Sequence, residues 1–237
     1  MISRVLVVLL LVTASLTTFA QEKVKKVARP DIPGSFLVDI GINRGISSAE
    51  NFKQGFWGSR TLNLYYQYPL RFGRSKFSFN PGVGVSLERF KLKNKFSLNP
   101  IKDTEGTYSL YNADTVFSGV KKSMIVANYF EIPLELRFDS KPEDVATSFN
   151  FAIGARAGIL FDGLTKVAYK EDGEKKVLKN KQNHGLNPFR YGVYTRIGVG
   201  GFNLFFMYNL SPLFEKDKGP DKTTMNTFTT GISINGF

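Results

Sequence analysis

The sequence predicts an all-β fold, an eight-stranded antiparallel up-and-down transmembrane β-barrel preceded by a cleaved signal peptide. Three observations predict it. Apolar residues recur at every second position in eight separate stretches, most plainly Phe130, Ile132, Leu134, Leu136 and Phe138, interleaved with Glu131, Pro133, Glu135 and Arg137. A period of two belongs to an extended strand with two unlike faces. The connections between the stretches alternate long and short, and the chain opens on an export leader. Together these put the apolar face against lipid and the charged face toward the interior of a closed barrel.

Residues 1–20 read as the signal peptide: Arg4 supplies the positive start, Val5 to Val12 the apolar run, and Thr18-Phe19-Ala20 the cleavage region before Gln21. The run is shorter than the roughly 20 apolar residues a membrane helix needs. Residues 21–33, polar and basic with Pro30 and Pro33, read as a flexible periplasmic tail, and residues 34–237 as the outer-membrane β-barrel. The chain has no cysteine, which excludes both a lipidated N-terminal cysteine and a disulfide framework.

Taken in order, the first strand presents Phe36, Val38, Ile40 and Ile42 on one face, and a loop from Gly45 to Gly58 follows. The second, Arg60 to Phe72, puts Leu62, Leu64, Tyr66 and Tyr68 outward. It turns tightly through Gly73-Arg74-Ser75 into the third, with Phe77, Phe79, Val83, Val85 and Leu87 outward. Lys91 to Lys122 is a long polar segment, unusual in a compact soluble domain but ordinary on the outer side of a membrane barrel. The fourth strand runs from Ser123 through Phe138, and the fifth from Phe149 to Asp162. A lysine-rich loop from Gly163 to Pro188 leads to the sixth, Phe189 to Val199. Gly200-Gly201 turns into the seventh, and Ser211 to Lys222 leads to the eighth, Thr224 to Phe237. An even count with short turns on one side places both termini there, which for a bacterial outer-membrane barrel is the periplasm. Pro133 removes a ladder hydrogen bond mid-strand, so a bulge is expected there. In the last strand Phe228, Ile232 and Ile234 are out of phase with Phe237, a slip that Gly236 is expected to absorb.

These residues carry a family resemblance. Glu131-Ile132-Pro133-Leu134, followed by alternating apolar positions, resembles the small outer-membrane β-barrel proteins of Bacteroidetes, the PorT-like proteins among them. The glycine-spaced stretch Phe151 to Gly158 and the aromatic C-terminus are similar as well. The resemblance spans nearly all of the mature chain. It implies an outer-membrane barrel and, through the PorT-like members, a link to type IX protein secretion. The terminal Phe237 resembles the signal read by the barrel-assembly machinery, although Gly231, Ser233 and Asn235 stand where that signal has apolar residues.

The net charge of +12 could suggest nucleic acid, but an exported chain seldom meets it and the lysines gather in loops. Solvated loop charge is the simple reading, and contact with anionic lipid headgroups or surface sugars is the other. The inward faces collect Asp39, Glu88, Glu131 and Glu135 with Arg137, Arg156, Arg190 and Arg196. An eight-stranded interior is just wide enough for side chains to fill, and arginine forks suit carboxylates. A structural ionic network that plugs the lumen is therefore expected, with an ion path or ligand site as the alternative. Glu131 and Glu135 lie about 13 Å apart along one strand, too far for a glycosidase pair.

A lipid-A-modifying barrel enzyme would need a histidine base. The single candidate, His184, stands among Lys181, Gln182, Asn183 and Gly185 and is expected at the surface. No catalytic residue, cofactor or metal site is expected. The Gly192 to Gly201 stretch follows strand period and matches no phosphate loop. A soluble lipocalin-like carrier would reverse the faces, with the apolar side inward. The expectation for function is a non-enzymatic outer-membrane barrel acting as an anchor or scaffold, or in an envelope complex. Its partners are outer-membrane lipid and envelope or secretion proteins, with no nucleic acid. A narrow channel is the remaining alternative.

Overall fold

In the computed structural model, residues 34–236 are described; the expected signal peptide (1–20), the tail (21–33) and Phe237 lie outside them. Eight antiparallel strands form the wall: β1 (Ser35–Ile46), β2 (Arg60–Gln67), β3 (Phe77–Leu92), β4 (Lys122–Asp139), β5 (Phe149–Glu171), β6 (Phe189–Val199), β7 (Phe202–Asn209) and β8 (Asn226–Asn235). Each pairs with its neighbours in sequence, and β8 pairs with β1 from Ile46↔Asn226 to Leu37↔Asn235, which closes the barrel. Closure leaves no open edge in the wall, as hydrocarbon requires.

The alternation resolves as the sequence demands. Phe130, Leu134 and Ile153 point out, 57%, 44% and 51% exposed, while Glu135 and Arg156 point in, 1% and 3% exposed. A lipocalin-like reversal of faces is thereby excluded.

Three elements differ from expectation. The fifth strand does not stop near Asp162. It continues to Glu171 and returns as Glu174–Lys181, so most of the Gly163 to Pro188 segment is a β-hairpin standing beyond the barrel. Asp172 and Gly173, with φ of 53° and 80°, form its two-residue turn. An Asp-Gly pair between two strand-like runs is a strong hairpin signal, here masked by the lysine content. The bulge is also not at Pro133, which pairs in register with Arg156. It falls at Asn128/Tyr129, where Phe161 is the extra residue of β5. Across β3 the ladder lapses between Pro81↔Leu134 and Gly84↔Glu131 without a change of register. Both prolines border this one gap, so their missing donors cost little pairing elsewhere. Finally, the 93–121 connection is not structureless: Phe96–Leu98 pairs with Leu110–Asn112, and Ala113–Thr115 makes a 3-10 turn.

The apolar core lies at the loop end of the barrel. Phe52, Leu98, Tyr108, Leu186, Leu213, Phe214 and Met225, drawn from all four long connections, pack with Phe90, Ile125 and Tyr129 from the strands. Each large apolar side chain buried there contributes about 1.5–3 kcal/mol, which is what turns four polar-looking loops into one folded cap.

Candidate functional site

Beneath the cap the lumen is ionic, because the inward positions of the wall carry the acids and arginines. Glu131 on β4 is the centre of a quartet. Its carboxylate accepts from Arg156 Nη1 at 2.9 Å, from Arg190 Nε at 2.9 Å, and from the Tyr65 hydroxyl. Glu88 on β3 lies 2.7 Å from Arg190 and 3.7 Å from Arg156, so two acids meet two arginines. Arg156 Nη2 donates to Asn209 Oδ1 at 2.7 Å, and the Arg190 guanidinium lies over the Tyr129 ring at 4.0 Å. All four charged groups are buried.

A second cluster has a different balance. Arg196 on β6 reaches Asp39 on β1 at 2.9 Å and also pairs with Glu135 on β4. One cation thus serves two carboxylates, which among the described residues are otherwise assisted by the amides of Asn63, 3.2 Å from Asp39, and Asn80, 3.4 Å from Glu135. The Arg196 guanidinium stacks on the Tyr194 ring at 4.4 Å.

Arg137 joins neither cluster. The eight residues do not form one network of four acids and four arginines, because Arg137 turns to Asp139 at 2.9 Å, which Arg71 also meets at 3.3 Å. This group borders a cavity of about 200 Å³ at the turn-end mouth, lined also by Gln67, Asn80 and Asn235. The strand read from the sequence stops at Phe138, one residue short of Asp139, which the structure keeps in β4; its position two residues beyond Arg137, in phase with Glu135, was the available signal.

Inward glycines make the space for these groups. A Cβ on Gly154 would lie 2.4 Å from the Tyr194 ring, and one on Gly158 would lie 2.8 Å from the Glu131 side chain. Tyr194 therefore fills the lumen where Gly154 leaves the wall bare, and it holds the Arg196 plane over its ring.

The family model described as outer membrane protein beta-barrel domain matches residues 19–215. The chain belongs to that family. Solved structures of Ail, the attachment invasion locus protein of Yersinia pestis, are similar at 14% identity and a TM-score of 0.36, covering 86% of this chain and 100% of that chain. The same protein in complex with the heparin analogue sucrose octasulfate gives 15% identity and a TM-score of 0.33, with the same coverage. No curated protein matches the chain.

Membership of the family puts the barrel in the outer membrane and its exposed apolar face in hydrocarbon. Aromatics edge that face: Phe36, Phe72, Phe77, Phe149 and Phe202 toward the turn end, and Phe130, Phe161, Phe189 and Tyr191 toward the loops. On β3 the faces then exchange character. Outward Leu87 gives way to Arg89 and Lys91, while inward Glu88 gives way to Phe90 and Leu92. Below that point the outside of this outer-membrane barrel is oily and its inside ionic; above it the wall behaves like a water-soluble protein.

His184 corrects another expectation. It is buried in the cap rather than at the surface. Its Nε2 lies 3.2 Å from the Asn180 carbonyl and 3.4 Å from Thr165 Oγ1, its Nδ1 lies 3.4 Å from Gln182 Nε2, and its ring meets Tyr108 edge-on. Burial pushes its pKa below the usual histidine value; the Asn180 carbonyl can only accept, so the tautomer that fits these partners donates from Nε2 and accepts the Gln182 amide at Nδ1. Among the described residues no group of three or more His, Asp or Glu is placed to hold a metal.

Proposed function

We propose that the protein is a non-enzymatic outer-membrane anchor or scaffold whose folded loop layer faces outward and engages an envelope complex. PorT-like protein secretion is the class of complex its resemblance suggests. The observation that carries this reading is the double closure of the lumen: an ionic filling from Asp39 to Arg196, and above it the apolar cap of Phe52, Leu98, Leu186 and Phe214. A sealed barrel offers partners its outer faces rather than its interior. The enclosed setting of His184 supports a structural rather than a catalytic use of that ring.

Affinity purification of the tagged chain from its native outer membrane tests the proposal, with co-purification of an envelope or secretion protein in stoichiometric amount expected. Recovery of the chain alone, under conditions that preserve other envelope complexes, counts against it. Planar-bilayer recording should show no conductance steps. Trypsin on intact cells should cut the hairpin at Lys175 or Lys176, and protection there would reverse the orientation of the loops.

A further inference from the structure

Directly above the lipid-facing surface, the outer faces of β2 to β5 carry a basic patch. Arg60 and Arg89 stand opposite each other on β2 and β3, immediately above the Leu62↔Leu87 pair that faces hydrocarbon. One row higher, Lys91 on β3, Met124 on β4 and Lys166 on β5 lie side by side. Lys122, the first residue of β4, is faced by Lys166, Arg60, Lys91 and Arg89, all of its own sign. Among the described residues none of these five cations forms an ion pair, although lysines elsewhere in the loops pair with Asp114, Glu171, Asp162, Glu215 and Glu105. Like charges directly across a strand pair destabilise it, and among the described residues no carboxylate pairs with these cations to offset that cost.

Beside the patch the 47–59 loop folds down over the strand. Lys91 lies against Gly58, Arg44 stacks on Phe56 at 4.9 Å, and Phe56 holds Trp57 edge-on at 5.0 Å. Trp57, 81% exposed, lines a cleft of about 500 Å³ together with Lys91, Lys93, Lys121 and Lys122. An amphipathic ring at the level where the apolar band ends, next to uncompensated cations, suits a ligand with acyl chains below and anionic groups on a sugar above.

We propose that this cleft binds the phosphorylated glycolipid headgroup of the surrounding outer leaflet. Lys91 and Lys122, which line the cleft, and Arg60, Arg89 and Lys166 beside it take the phosphates, Trp57 takes the sugar face, and the chains run down the Leu62–Leu87 side of the wall. The outward orientation of the loops proposed above is assumed. Binding in micelles does not depend on that orientation, so failure here and failure there are separate results.

Trp57 is the single tryptophan of the chain, so its fluorescence reports the cleft alone. The full-length protein, folded in an uncharged glucoside detergent, is titrated with diphosphoryl lipid A, with chemically dephosphorylated lipid A, and with inorganic phosphate at millimolar concentration. A saturable change is expected with the diphosphoryl lipid only, weakening as salt rises. Substituting Lys91→Gln and Lys122→Gln together should weaken it about thirtyfold, whereas Lys175→Gln with Lys176→Gln on the hairpin should leave it unchanged. Should the cleft double variant fail to fold by heat-modifiable gel migration, the salt dependence and the dephosphorylated arm of the wild type decide. Equal binding of dephosphorylated lipid A overturns the phosphate recognition. The same change with free phosphate makes the cleft a soluble-anion site and overturns the lipid, and an equal loss from the hairpin variant overturns the site.

Discussion

Arg196→Met is the sharpest test of how the lumen is held. The substitution keeps the approximate length and removes the one cation shared by Asp39 and Glu135, each 1% exposed. At the 2.9 Å Asp39 contact and an effective dielectric of about 20, the attraction lost is about 6 kcal/mol before desolvation is counted. Because removing arginine also relieves its own burial cost, the net destabilisation should be nearer the 3–5 kcal/mol typical of breaking a buried pair. Two carboxylates would remain beside each other with only the Asn63 and Asn80 amides as donors. Urea unfolding of the barrel in lipid vesicles, followed by heat-modifiable gel migration, measures the loss. The triple variant that adds Asp39→Asn and Glu135→Gln should recover most of it, since the charges left behind are then gone. A loss below about 1 kcal/mol, or no recovery in the triple variant, would refute the idea that this cluster is held by one shared arginine.

Three further outcomes follow from the same structure. Gly154→Leu should cost about 1–3 kcal/mol by overpacking, because its Cβ would lie 2.4 Å from the Tyr194 ring and 2.6 Å from the Leu134 carbonyl; vesicle unfolding reads it, and a neutral effect would mean Tyr194 is free to move. Gly173→Val forces a branched residue into φ of 80° at the hairpin tip, so amide exchange over both hairpin arms, Leu164 to Glu171 and Glu174–Lys181, should accelerate while exchange in the barrel wall below them stays slow. For His184, whose folded pKa is depressed by burial, the unfolded cap binds the proton more readily than the folded one. Cap stability should therefore be undiminished above about pH 6.5 and fall as pH drops below it. Proteolysis of the loops between pH 7.5 and 5 measures this, and His184→Gln should flatten the profile.

Binary alternation by itself determined that this chain makes eight two-faced strands and which residues share each face; the long and short connections and the leader pointed the apolar face to lipid, and the burial of Glu135 and Arg156 against the exposure of Phe130 and Leu134 decided it. Strand period is a local property: a side chain at i and one at i+2 share a face whatever the partner strand is, so Phe130 with Leu134, and Glu131 with Glu135, could be sorted without coordinates. Partnership between strands is not local. That Arg196 would take both Asp39 and Glu135, and that Arg137 would leave the expected network for Asp139, depends on register across β1, β4 and β6 and on the shear of the closed wall. The Pro133 bulge was misplaced for the same reason, since what a proline costs depends on what its neighbour brings to the gap, here Pro81. The cap lay furthest from view. Phe52, Leu98, Leu186 and the Leu213–Phe214 pair sit in polar loops spread over more than half of the chain, and only the closing of β8 on β1 gathers them over one opening where each can leave water.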